Sequence, residues 1–162
     1  MKIYLFYFFV IIGLFSPDLS KVREEYKNAF NSKEVTIQLN KDLADVDEED
    51  NTILVAYKGA VLTLMSKYSN STKEKKMYFK EGASLLDFAI EEKPENVEMR
   101  CIRLGVQENT PKILKYRSNI SEDKQLIISQ YNSIQSRDIK SYVKGFVVQS
   151  KSFTEEEKVV FN

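Results

Sequence analysis

Almost nothing in this sequence breaks a helix. Its 162 residues include five glycines and three prolines, whereas sandwiches and barrels need a turn about every ten residues and build those turns from these residue types. Lysine, glutamate and leucine fill the space instead, and all three favour helix. The spacing of apolar residues agrees. From Thr52 to Tyr68, Ile53–Tyr57, Ala60–Leu62, Leu64 and Met65 cover nearly the whole circumference of a helix, which predicts a central helix surrounded by neighbours. Lys58 and Lys67 within it argue against a membrane span. Ser69–Thr72 ends that helix, with Ser71 or Thr72 capping another that runs to about Glu92. Lys76, Lys80, Ser84, Asp87 and Glu91 fall on one narrow polar arc of it, so Met77, Tyr78, Phe79 and the other apolar residues are expected inside. Its small Gly82 and Ala83 allow a neighbour to approach closely.

The rest of the chain reads the same way. Leu19, Val22, Tyr26, Ala29 and Phe30 share one face of a helix capped by Asp18 or Ser20. A second helix follows Ser32 and turns Val35, Leu39 and Leu43 inward, with Val46 beyond it. Pro94 suits the first turn of a helix reaching about Glu108, and Pro111 opens a short segment to Arg117. Ser121 is expected to cap a helix carrying Leu126–Ile128, Tyr131 and Ile134. The last long helix places Ile139, Tyr142, Val143 and Phe146 on one face, although Val143–Val148 also reads as a strand that lacks a pairing partner. Thr154 and Glu157 have the spacing of a capping box before a terminal turn.

At the amino terminus, Lys2 precedes the unbroken apolar run Ile3–Phe15. The run has the length of a signal-peptide core and falls short of the about 20 residues that span a bilayer. Residues 1–16 therefore read as a signal peptide or an uncleaved N-terminal anchor, and residues 17–162 as one helical domain. No cysteine follows the run, which excludes a lipoprotein anchor. The expected location is outside the cytoplasm, periplasmic or extracellular. Membrane contact is expected only through residues 1–16, if they are retained.

Composition narrows the chemistry. There is no histidine and one cysteine, Cys101. That removes histidine-based general base catalysis, Cys–His dyads and the usual zinc sites. Cys101 reads as a small core residue. The acidic stretch Asp45–Asp50 lacks the glycine and the distal glutamate of a helix–loop–helix calcium site, so it reads as a solvated linker ending in an N-cap at Asp50 or Asn51. Glu91 and Glu92 lie on a polar helix surface, without the burial that tunes a general acid. Lys plus Arg balances Asp plus Glu at 24 each, with no basic stripe to neutralise phosphates, which disfavours nucleic acid as a partner. The chain is expected to be no enzyme and to carry no metal or cofactor.

Gly82, Ala89 and Pro94, followed by Asn96-Val97-Glu98, are spaced as in the second helix of a tetratricopeptide repeat and the start of the next. Residues 82–98 resemble that repeat. Arg100 stands where an aromatic is usual, and no second copy lies at a spacing of about 34 residues. The longer stretch Ala56–Ile128, centred on Phe79–Pro111, is similar to an uncharacterised family of small exported bacterial helical proteins. The resemblances imply an all-α, right-handed stack of antiparallel helical hairpins in the cell envelope, and they bring no activity.

One stripe stands out as a candidate site. On the helix after Pro94, Val97, Cys101 and Leu104 form one apolar face, and Met99, Ile102 and Val106 the opposite one. Between them Asn96, Arg100, Arg103 and Gln107 form a ladder at helical spacing. Guanidinium groups flanked by amides suit a carboxylate, a phosphate or an acidic peptide. They equally suit ion pairs to neighbouring helices, or an exposed edge. The expected function is a non-catalytic interaction or scaffold module with a protein or peptide partner. The alternative is a carrier for a small apolar or anionic ligand.

Overall fold

Short polar side chains set the helix starts. The computed structural model describes residues 16–161, and the expected targeting run Lys2–Phe15 lies outside them. Asp18 opens α1 (Leu19–Ala29), Ser32 opens α2 (Lys33–Asp42), Asn51 opens α3 (Thr52–Tyr68) and Ser71 opens α4 (Thr72–Glu92), each by accepting a backbone N–H of the first turn. Asn96 does the same for α5 (Val97–Asn109) and Ser136 for α7 (Arg137–Gln149). The Thr154–Glu157 capping box opens the short α8 (Glu155–Lys158). Between α5 and α7 lies α6 (Ile120–Gln130). It starts earlier than expected: Asn119, not Ser121, is its N-cap, and the Asn119 side chain serves Gln107, Ser118 and Glu122 instead of the helix end. Pro111 begins a 3₁₀ turn, Lys112–Leu114, closed by Lys115 in the left-handed conformation at φ 53°. Val143–Val148 is helical within α7, and among the described residues there is no strand.

The fold is all-helical, and α3 is its axis: it packs on α1, α2, α4 and α5, most extensively on α4. The α3–α4 pairing is close because glycines face each other. A β-carbon on Gly59 would sit 2.6 Å from the Gly82 carbonyl oxygen, and one on Gly82 would sit 2.4 Å from that of Gly59. Helix α5 then divides the interior. Its Met99, Ile102 and Val106 complete one core with α1–α4, while Val97, Cys101 and Leu104 complete a second with Ile127, Tyr131, Val143, Val147, Phe153 and Phe161. The two opposed apolar faces expected from the sequence are thus each buried, in different cores.

Two expectations of burial fail. Phe30, at the end of α1, is 41% exposed, and Met77, in the second turn of α4, is 50% exposed. Periodicity gives a residue's angle about its own helix axis but not where along that axis the neighbouring helices stand. Among the described residues no helix is long and apolar enough to cross a membrane.

Candidate functional site

The ladder on α5 is an internal ion-pair cluster. Arg100 and Arg103 are only 5% and 6% exposed. Both reach Asp123 on α6, which is fully buried. Arg103 grips it with two bonds, Nε to one carboxylate oxygen at 2.8 Å and Nη2 to the other at 2.6 Å. Arg100 adds a bond from Nη1 at 2.8 Å, a second to Glu122, and donates Nε to the Pro94 carbonyl at 2.8 Å. Asp87 of α4 approaches Arg103 at 3.4 Å. Two guanidiniums therefore face two α6 carboxylates, Glu122 and Asp123, with Asp87 at the edge. The bond from Arg100, then that from Asn119, holds the Glu122 carboxyl below its usual range. The outer members play other parts. Asn96 caps α5, accepting the Met99 N–H at 3.1 Å. Gln107 is fully buried, donates weakly to Asn119 at 3.4 Å, and its Oε1 has no partner among the described residues.

A second buried carboxylate escaped the sequence reading. Glu98, 3% exposed, accepts two hydrogen bonds from Arg23 of α1, at 2.7 and 2.6 Å, and one from the Tyr57 hydroxyl of α3 at 2.8 Å. It ties three helices together. Burial, followed by the Glu98 charge, pushes the Tyr57 phenol far above its ordinary value. Cys101 is buried in the second core and its thiol is likewise pushed up by desolvation. The acidic loop folds on itself, with Asp50 accepting from the Asp47 N–H and Asp47 from the Glu49 N–H, both at 2.9 Å. Among the described residues no three or more His, Cys, Asp or Glu side chains gather to hold a metal ion.

The accessible feature lies elsewhere. A groove of about 1730 Å³ is bounded by α1, by the C-terminal turns of α3 and α5, by the first half of α4 and by α7. Tyr26, Phe79, Tyr142 and Phe146 give it an aromatic lining. Phe30, Ile113 and Leu114 also line it and are 41, 85 and 42% exposed. Gly145 faces it from the middle of α7, where an added β-carbon would meet nothing within 4 Å.

The groove is also cationic. Arg23 is engaged by Glu98 and Lys27 by Glu24. Lys67 donates to the Phe30 carbonyl at 2.7 Å and lies 4.0 Å over the Phe30 ring. Lys75, Lys76, Lys80 and Lys151 line it too, and none of them has an ion-pair partner among the described residues. The lining carboxylates are Glu24, Glu108 and Asp138. Lys75, like Lys73, sits in the first turn of α4 beside Glu74, where the positive end of the helix dipole opposes cations by about 0.3–1 kcal/mol each. A misplaced charge of this kind is visible in the sequence. The groove that gives it a context is not.

No protein-family model matches this chain, and comparison with curated proteins and with solved structures gives no match.

Proposed function

We propose that this chain is a non-catalytic interaction module of the bacterial cell envelope, and that its groove is where it holds a segment of a protein partner. The size of the groove carries the reading. At about 1730 Å³ it exceeds the about 300–1,000 Å³ that encloses a small ligand, which favours a polypeptide over the carrier alternative. Helices α1, α3, α5 and α7 all contribute to the concavity, as the first helices of stacked tetratricopeptide-like hairpins do, and the first half of α4 lines it beside them. The α5 ladder then serves this surface indirectly, by fixing α4, α5 and α6 relative to one another.

Gly145 offers a clean test, because a side chain there enters the groove without meeting the core. Gly145→Trp should leave the melting temperature within a few degrees of the parent and abolish recovery of a partner that the parent retains from an envelope fraction. Equal recovery by both proteins would remove the groove from consideration. The envelope placement rests on Lys2 and the apolar run after it. Residues 1–25, fused to a reporter active only outside the cytoplasm, should export it, and a silent reporter would refute that placement.

A further inference from the structure

We infer that the occupant of the groove is an acidic polypeptide segment: carboxylates on it meet Lys75, Lys76, Lys80 and Lys151, and an apolar side chain beside them covers Phe30 and Leu114. This deepens the proposal that the groove holds a protein segment and rests on it.

Three independent observations point to this occupant. First, the charge is asymmetric. The chain as a whole is neutral, yet the groove keeps four lysines without a carboxylate partner among the described residues: Lys75, Lys76, Lys80 and Lys151. Its own carboxylates are largely spoken for. Glu108 accepts from the Ser150 hydroxyl and the Ser152 N–H, and Glu24 is held by Lys27. Among the described residues neither Glu108 nor Asp138 has an ion-pair partner, and Asp138 alone of the three lining carboxylates faces the groove without a hydrogen bond or ion pair to its side chain. Second, Lys75 in the first turn of α4 works against the helix dipole, so helix stability does not account for it. A carboxylate arriving beside it relieves that conflict. Third, exposed apolar side chains and Gly145, which leaves the α7 backbone open, share the groove with these lysines. Apolar contact and close backbone approach suit a polypeptide carrying both kinds of side chain, and an inorganic anion needs neither.

The test uses the full chain and three fluorescein-labelled synthetic peptides of equal length. One contains glutamate, aspartate and leucine; the second has glutamine and asparagine in place of the acids; the third has lysine. Binding is read by fluorescence anisotropy at about 0.01 M and about 0.15 M salt, over which the screening length falls from about 30 to about 8 Å. The acidic peptide should bind, weakening at least about tenfold at the higher salt, while the other two should not. The variant carrying Lys75→Glu, Lys76→Glu and Lys80→Glu should lose binding at least about tenfold. It should melt no lower than the parent, since all three lysines are exposed and Lys75→Glu relieves the dipole conflict, so lost binding will not be lost fold. Gly145→Trp should lose binding as well.

Equal binding of the amide peptide, abolished by Gly145→Trp, would overturn the acidic occupant and leave the groove reading standing. Acidic binding that ignores Gly145→Trp would place the contact outside the groove and overturn both. Binding to phosphatidylglycerol vesicles in place of the peptide, or self-association in sedimentation, would overturn the inference in favour of a lipid surface or a second copy.

Discussion

Gly59 and Gly82 touch backbone to backbone where α3 meets α4. A β-carbon on either would press into the other's carbonyl oxygen, at 2.6 and 2.4 Å. Neither oxygen can swing aside, because both belong to helix backbones. Gly59→Ala or Gly82→Ala should therefore destabilise the protein by about 2 kcal/mol or more, although alanine is intrinsically the better helix former by about 1 kcal/mol. Urea denaturation of each variant measures this, and an unchanged midpoint would mean that the helices separate without penalty.

Gly145 should respond with the opposite sign. Nothing lies within 4 Å of the position a β-carbon would take there, so Gly145→Ala brings only the helix-propensity gain of about 0.5–1 kcal/mol. Thermal melts should show a small increase, and a loss of stability would show that the α7 backbone is packed more tightly than the contacts indicate.

Arg103 and Asp123 form the doubly bonded ion pair of the cluster, 7% and 0% exposed at their side chains. Removing one partner leaves a buried charge short of its counter-charge: without Arg103, Asp123 keeps only the Arg100 bond, and without Asp123, Arg103 keeps only the longer contacts to Asp87 and Glu122. Arg103→Ala and Asp123→Ala should each cost on the order of 3–5 kcal/mol, and Arg100→Ala should do comparable damage. The paired change Arg103→Met with Asp123→Leu should cost much less than the sum of the two singles. A double-mutant cycle that came out additive would show the contact to be energetically idle.

Tyrosine titration should be split. Burial pushes the phenols of Tyr26, Tyr57, Tyr116 and Tyr142 well above the ordinary value, aided at Tyr57 by Glu98 and at Tyr116 by Asp87. Above about pH 10 the unfolded chain loses these protons while the folded chain keeps them, so stability is fully present below that pH and falls as pH rises. Ultraviolet absorbance of tyrosinate should rise in two steps, the second coinciding with loss of helical circular dichroism. A single step near the ordinary value, with the helix intact, would contradict the burial of these rings.

Much of the local structure was legible in the sequence, because it is set by local chemistry. Scarce breakers made the chain helical, and Asp18, Ser32, Asn51, Ser71 and Thr154 marked helix starts since each can satisfy an orphan N–H of the turn that follows. The opposed faces of α5 and the burial of Cys101 followed from helical angle alone. Angle also placed Asn96, Arg100, Arg103 and Gln107 on one line, but it could not say what stands opposite.

Only the tertiary structure decided that. Asp123 reaches Arg103 from 20 residues away and Glu98 reaches Arg23 from 75, so each pairing depends on how whole helices pack. The same packing left Phe30 and Met77 exposed and gathered the lysines of α4 and Lys151 around one groove. A periodic pattern fixes the direction in which a side chain leaves its own helix. Where the neighbouring helix stands, and how far along it extends, is a property of the assembled fold.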